Sequence, residues 1–407
     1  MNREEIREKL EIKPVELKHL KQFNELLRYV FQVTDSDIEE GGYEDESEIT
    51  KAKRPVLKSA DVLGWFDEDD KLLSQIAVYP CQVNIHGNIY DMGGVTGVGT
   101  YPEYASLGLM KDLITLALTN MRERGQWISY LYPYNIPYYR RKGWEIMSDH
   151  MTFKIKDSQL PKQAATPGSV ERLAFDDPDV IKVYDEFAKQ THGAMVRSDL
   201  NWDEYWRWEN EGERTAAVYY DENDRPTGFC FYWIAEEVFH IKEMIYLNQE
   251  ARKGLWNFIS AHFSMINHVE GSTYKNEPIA FLFDDSDIKE TIAPFFMARI
   301  VDVENFLSHY PFDSSVEPFH FVIEDPVAEW NNGTFSLTWD EDENVTVTRE
   351  AIGQPVTLDI QTLATMLMSY KRPTYLSQID RLTTDRKTLR SLERIIPNQS
   401  AYFSDYF

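Results

Sequence analysis

The chain has 407 residues, 43 % of them apolar and 14 % aromatic, with 42 Lys+Arg against 68 Asp+Glu and a formal charge of −26. That length suggests two or three domains with real cores. The charge disfavours nucleic acid and anionic lipid, which are recognised through basic surfaces, and favours cationic small molecules such as amines, although a solvated acidic surface is the simpler reading of it. No apolar run approaches the ~20 residues of a membrane span. The charged opening MNREEIREKLEIK reads as lacking a secretory leader. Cys81 and Cys230 stand alone, which excludes a disulfide framework or a Cys-based zinc site and fits a reducing cytosol.

Residues 1–10 read as a short charged helix, a peripheral cap, and EIKPVEL as a first strand. LKHLKQFNELLRYVFQ places Leu17, Leu20, Phe23, Leu26, Leu27 and Val30 on one helical stripe. VTDSDIEEGGYEDESEITKAKRP is a polar loop or short helix. The segment from Ser59 to Pro102 is a strand series divided by the turns DEDD and HGN. Its last strand runs through a tight turn, GVGTYPEYASLGL, into the helix SLGLMKDLITLALTNMRERG, which Gly125 stops. QWISYLYP is a buried strand, NIPYYRRKGWE a short helix, and EIMSDHMTFKIK a closing strand.

KDSQLPKQAATPGS, residues 156–169, reads as a linker. A second unit follows with the same order of strand, turn, strand, strand and helix, a degenerate duplication. A third, beginning near residue 304, reads as three or four strands and a helix with Leu363, Leu367 and Tyr370 on one face, then a final helix over TTDRKTLRSLERII. Trp202, Trp206 and Trp208 lie in NWDEYWRWEN, where a packing helix is a simpler reading than a cation-holding aromatic wall. The nine histidines show no ligand spacing, so no metal is expected.

The turn before the long helix points backbone N–H groups and a helix N-terminus at one spot, which suits a pyrophosphate. Yet no Arg or Lys lies between Gly97 and Met110. One strand later, LYPYNIPYYRRKGW sets Tyr139 four residues before Gly143 and Trp144. These two segments together resemble the GNAT superfamily of acetyl-CoA-dependent N-acetyltransferases. The three-unit layout, VTLDIQTLATMLMSYKRP and the terminus AYFSDYF are similar to its Eis subfamily over nearly the whole chain.

The resemblance implies an α+β fold with a catalytic GNAT domain at 1–156, a second GNAT-like domain at 170–303 and a sterol-carrier-protein-like domain at 304–407. It implies acetyl-CoA as co-substrate, held by Val98, Gly99, Thr100, Ser106, Leu107, Gly108, Leu109, Met110 and Lys111, with Tyr134 and Asn135 at the thioester end. It implies direct transfer in a ternary complex, with Tyr139 as the acid that protonates the CoA thiolate and the α-carboxylate of Phe407 as the base. An α-carboxyl group of intrinsic pKa ~3.5 is ionised at pH 7, and a phenol near ~10 is a serviceable donor to a thiolate of ~8.5. Four aromatics among the last six residues argue against a frayed end. The acceptor would be a primary amine of an aminoglycoside, a polyamine or a lysine side chain, and the assembly a homo-oligomer, a hexamer in relatives, in the cytoplasm, with no nucleic-acid or membrane partner.

The sequence departs from the family in its loop. Ala105 and Leu107 stand where relatives carry basic residues, so the expected grip on CoA is weaker and an arginine at either position should restore it. Lys111 is expected to supply part of the charge, with Arg140, Arg141 or Lys142 approaching from the next helix. The departure keeps two alternatives open: a GNAT-derived protein that binds acyl-CoA or a cationic ligand without turnover, and, from fold analogy alone, lipid carriage by the third domain.

Overall fold

The computed structural model describes residues 3–34, 53–209, 214–274 and 279–407. Most of the polar segment expected as a loop after residue 32 lies outside them. In the first half, β1 (Glu11–Pro14), β2 (Asp61–Phe66), β3 (Leu72–Ile85), β4 (Asn88–Thr100), β5 (Ile128–Leu131), β6 (Glu145–Ile146) and β7 (Asp149–Lys156) are joined by α1 (Arg3–Arg7), α2 (Leu20–Phe31), α3 (Arg54–Ser59), α4 (Leu109–Glu123) and α5 (Ile136–Arg140). The second part holds β8 (Ser169–Ala174), α6 (Pro178–Gln190), α7 (Asp199–Glu209), β9 (Thr215–Tyr220), β10 (Pro226–Ala235), β11 (Val238–Tyr246), α8 (Gln249–Ser260), β12 (His268–Thr273), β13 (Lys289–Pro294), β14 (Met297–Ile300) and α9 (Val303–His309). The third holds β15 (Phe319–Glu324), β16 (Gly333–Trp339), β17 (Val345–Thr348), β18 (Gln354–Asp359), α10 (Ile360–Leu367), α11 (Pro373–Gln378), β19 (Leu382–Thr383) and α12 (Arg386–Ile395).

Two seven-stranded sheets run β1-β2-β3-β4-β5-β14-β6 and β13-β7-β12-β11-β10-β9-β8, and a five-stranded sheet runs β17-β16-β15-β18-β19. Each large sheet has one parallel pair at its centre: β4 with β5 at Met92–Gly94, and β11 with β12 at Val238–Ile241. Sheet membership crosses the sequence boundaries at 156 and 170. β7, expected to close the first domain, is hydrogen-bonded between β12 and β13 of the second sheet. β14 in return completes the first sheet between β5 and β6. The two halves therefore exchange a strand, and neither sheet is complete from its own continuous stretch of chain.

The 156–169 segment is docked rather than free: Ala164 exchanges hydrogen bonds of 2.9 and 2.7 Å with the Asn257 side chain on α8. α10 ends at Leu367 because Ser369 turns to φ +56. Tyr370 thus leaves the helical face expected for it, and its hydroxyl donates to Asp149 at 2.8 Å. Among the described residues no helix is long and apolar enough to cross a membrane.

Candidate active site

Beyond Gly94 and Tyr130, β4 and β5 no longer pair, and the V between them opens a cleft of about 590 Å³. On its β4 side, Gly97 and Val98 face the single Ile76 across the ladder, since Gln75 pairs with Gly99 and Ala77 with Thr96. A bulge of this kind frees backbone groups from the ladder and bends the strand, and Gly97 supplies the φ of +60 it requires. The strand then enters a 3-10 turn, Pro102–Leu107, and Gly108 at φ +76 reverses it into α4. Lys111 and Asp112 donate their backbone N–H groups to the Gly108 carbonyl, while the N–H groups of the helix's opening residues are among those that an α-helix cannot satisfy internally.

The cleft brings together Val98, Gly99, Thr100, Gly108, Met110, Lys111, Tyr134, Asn135, Tyr139 and Phe407. Three expected contributors are not among its walls. Leu107 and Leu109 are 8 % and 1 % exposed and belong to the core between the first sheet and α4. Their carbonyls are engaged as well, accepting from Arg7 Nη1 at 2.7 Å and Trp65 Nε1 at 3.0 Å. Ser106 is solvent-exposed outside the cleft. The expectation that an arginine at 107 would restore charge is therefore wrong for Leu107, which points into the core, and stands only for Ala105, which lines the cleft and is exposed.

Two cations do reach the wall. Lys111 comes from α4, and Lys142 from the turn after α5. Burial, with Lys111 and Arg141 nearby, holds the Lys142 ammonium below its usual pKa. Arg140 is turned away and paired with Glu145 at 2.7 Å. Arg7 was not anticipated: α1, expected as a peripheral cap, uses it to brace the loop through the Leu107 carbonyl and the Asp112 carboxylate.

Tyr139 sits on α5, whose start is fixed by the Asn135 side chain accepting from Tyr138 N at 2.9 Å and by Pro137 in the first turn. Tyr139 is 8 % exposed, edge-on to Tyr138 and Trp144. Burial raises its pKa, so the phenol holds its proton at neutral pH and can give it only to a base formed beside it.

A second cavity of about 470 Å³ lies on the α2 side, lined by Phe23, Leu27, Phe31, Val56 and Tyr79 and by Arg28, Lys53, Arg214, Lys242 and Glu204. Phe31, Thr96, Gly97, Tyr406 and Phe407 line both cavities, so the chain's last residue lies where they meet. The Phe407 ring packs on Gly94, where a β-carbon would lie 3.0 Å from it, and against Tyr79 and Phe296. The tail leading to it is buried: Phe403 and Asp405 are 0 % and 2 % exposed.

Family models match the chain in series: an acetyltransferase (GNAT) domain at residues 11–147, a second acetyltransferase (GNAT) domain at 193–300 and a sterol carrier protein domain at 303–404. Comparison with curated proteins gives no match. Among solved structures, a conserved Enterococcus faecalis V583 protein described as a probable N-acyltransferase is 26 % identical over 98 % of this chain and 99 % of its own, with a TM-score of 0.86. A GCN5-related N-acetyltransferase from Anabaena variabilis shares the fold at 22 % identity and TM-score 0.83, over 98 % of this chain and 100 % of its own. Eis1 from Mycobacterium abscessus shares it at 16 % identity and TM-score 0.80, over the same shares of the two chains.

Proposed function

From a chain that is an Eis-like tandem of two GNAT acetyltransferase domains with a C-terminal sterol carrier protein domain, and hence an acyltransferase, we propose an N-acetyltransferase that moves the acetyl group of acetyl-CoA directly to a primary amine. The observation that carries this reading is the junction of two cavities at Phe407, one beside the β4 bulge and the start of α4, the other walled by apolar rings and by five charged side chains. GNAT domains use acyl-CoA, which supplies an activated thioester. The acetyl group in particular is our assignment.

Backbone N–H groups of the bulge and of the first turn of α4 face the pantetheine and the pyrophosphate, and Lys111 and Lys142 supply the charge that the loop lacks. The Phe407 carboxylate takes the proton that the amine loses as its nitrogen bonds to the acyl carbon, directly or through water. Tyr139 gives its proton to the sulfur as the C–S bond breaks, so one proton is accepted and one donated per turnover.

The lining of the second cavity narrows the acceptor. Its charged members are four cations against two anions, Glu204 and the Phe407 carboxylate, so the overall −26 does not carry over to the site. An amine on an apolar arm, as in a lysine side chain, suits such a wall better than a polyamine or an aminoglycoside. Acetyl-CoA consumption with a panel of these amines tests the reading: turnover with none, alongside tight acyl-CoA binding, would leave a non-catalytic binder.

A further inference from the structure

We propose that the second GNAT-like domain is the clamp for the catalytic terminus: its own central V is filled by the chain's tail, and Arg197, through Asp405, is a positioning residue for the Phe407 carboxylate. The proposal rests on the terminal carboxylate acting as base.

The two large sheets repeat one feature. In the first, β4 and β5 stop pairing after Gly94 and Tyr130, and the donor cleft opens there. In the second, β11 and β12 stop pairing after Ile241 and Gly271. The residues that follow on those two strands meet the tail. Glu243 on β11, 2 % exposed, accepts from the hydroxyls of Tyr402 and Tyr205, and the carbonyl of Tyr274, just past β12, accepts from Phe403 N at 3.3 Å. Tyr402 N also donates to His192 O at 2.9 Å. Where the first domain opens toward a ligand, the second holds residues 402 and 403 of its own chain.

Two residues further on, Asp405 is the last polar anchor described before the terminus. Its Oδ1 accepts from Arg197 Nε at 2.7 Å and its Oδ2 from the Tyr184 hydroxyl at 3.1 Å. The Arg197 side chain is 0 % exposed, with its guanidinium 3.6 Å from the ring centre of Tyr184, 3.9 Å from Tyr205 and 4.4 Å from Trp202. Nη1 and Nη2 have no hydrogen-bond acceptor among the described residues, and the aromatic faces surround them. Of the tryptophans in NWDEYWRWEN, Trp202 meets a cation, the protein's own Arg197, together with Tyr205 of α7 and Tyr184 of α6, while Trp206 packs on Trp202 and Phe175 as expected of a packing helix, and the Trp208 side chain lies outside the described residues. Burial alone pushes the Asp405 carboxyl toward its neutral form, and Arg197 opposes that. From Asp405, the remaining two residues span no more than about 7 Å, so a shift at the clamp passes to the carboxylate almost undiminished. Displacement of a reacting group by ~1 Å can cost ~100-fold in rate.

The test uses the full chain. Tyr184→Phe removes the hydroxyl shared between Asp405 Oδ2 and the Met195 carbonyl without uncovering a charge, and Arg197→Met removes the ion pair. Acetyl-CoA turnover, acyl-CoA binding by calorimetry and thermal melting are compared with a variant lacking Phe407. We expect kcat to fall ~10-fold for Tyr184→Phe and ~100-fold for Arg197→Met, with the acyl-CoA Kd within about twofold, partial rescue by Arg197→Lys, and one acyl-CoA per chain. Unchanged kcat in folded Tyr184→Phe, while loss of Phe407 abolishes turnover, overturns the clamp and leaves the base reading standing. If Arg197→Met does not fold, Tyr184→Phe still decides. Two acyl-CoA per chain would overturn the filled second V. Full turnover without Phe407 would instead sink the base reading itself.

Discussion

A β-carbon on Gly143 would lie 1.3 Å from Arg299 Nη1, so this pair permits only glycine at the turn behind Tyr139. Gly143 has φ +95, and Arg299 Nη1 donates to the Lys142 carbonyl at 2.6 Å while Nη2 is bound to Asp325 at 2.6 and 2.8 Å. The guanidinium and its carboxylate are both 0 % exposed. α5 and its tyrosine are thus tied to the sterol carrier protein domain through β14, the strand contributed by the other half of the chain. Gly143→Ala meets both a positive φ and an immovable neighbour. It should lower stability by about 3 kcal/mol or more, the scale of a disrupted buried ion pair, and urea midpoints would check it.

Adding charge to the cleft beside the β4 bulge, the proposed acyl-CoA site, distinguishes two neighbouring positions. Ala105→Arg should tighten acyl-CoA binding by ~10-fold or more, one charged hydrogen bond contributing ~1.5–3 kcal/mol. Leu107→Arg should destabilise the protein, because it places an unpaired cation in the core that holds Leu107 at 8 % exposure. Conversely, Lys111→Ala or Lys142→Ala should each weaken binding by ~10-fold. Thermal melting measures the Leu107→Arg effect and calorimetric titration with CoA the other three, and affinities equal to that of the unsubstituted protein across those three would mean that the cleft does not hold the pyrophosphate.

The site was legible in part. The strand, the glycine turn, the helix and the Asn135-capped tyrosine are local in sequence, and each formed where its turn residues and apolar spacing place it. The buried tail was legible from its aromatics. The strand exchange was not, because the alternation of HMTFKIK states which faces are buried and not which neighbour buries them. Nor could spacing show that Arg197 meets Asp405, a partner 208 residues away, or that Lys142 rather than Arg140 faces the cleft. The misplaced Leu107 has the same cause. A 3-10 turn rotates successive side chains by about a third of a circle, so one of two nearly adjacent residues lines the cleft and the other the core.

A stacked histidine pair sets an acid limit on stability. The His86 and His192 rings lie 3.5 Å apart at 14°, where the β3–β4 turn, the second domain and the end of α10 meet. Burial pushes the His86 imidazole down to about 4 from 6.5, and Arg372 adds to it. The folded-state pKa lies below the unfolded one, so the contribution is whole above pH ~6.5 and is lost as pH falls from there toward 4. The loss is on the order of 3 kcal/mol at most. His86 has φ +48, a conformation that asparagine tolerates. His86→Asn should flatten the decline in urea midpoint between pH 6.5 and 4, and an unchanged pH profile would remove His86 as its source.

The base we propose, the terminal carboxylate, is one that no side-chain substitution reaches. Phe407 lines both cavities, its ring is seated on Gly94, and Tyr406 beside it contacts Tyr132 and Phe295. Deleting Phe407 moves the carboxylate back by one residue, about 3.5 Å. Appending even a short tag replaces it with a neutral amide. Either change should cut kcat by ~100-fold or more. Acyl-CoA affinity should hold within a few-fold, since the bulge, Gly108 and the two lysines lie apart from the tail in sequence and are set by β4, α4 and the turn after α5. Tyr139→Phe should lower kcat similarly, and a leaving thiolate that needs no proton should suffer less. Gly94→Ala adds a third arm: its β-carbon meets the Phe407 ring at 3.0 Å and displaces the terminus without altering its chemistry. A graded loss of kcat across Gly94→Ala, the tagged chain and the deletion, at constant Kd, is the expected outcome. A tagged protein with near-normal kcat would show that Phe407 only packs the tail.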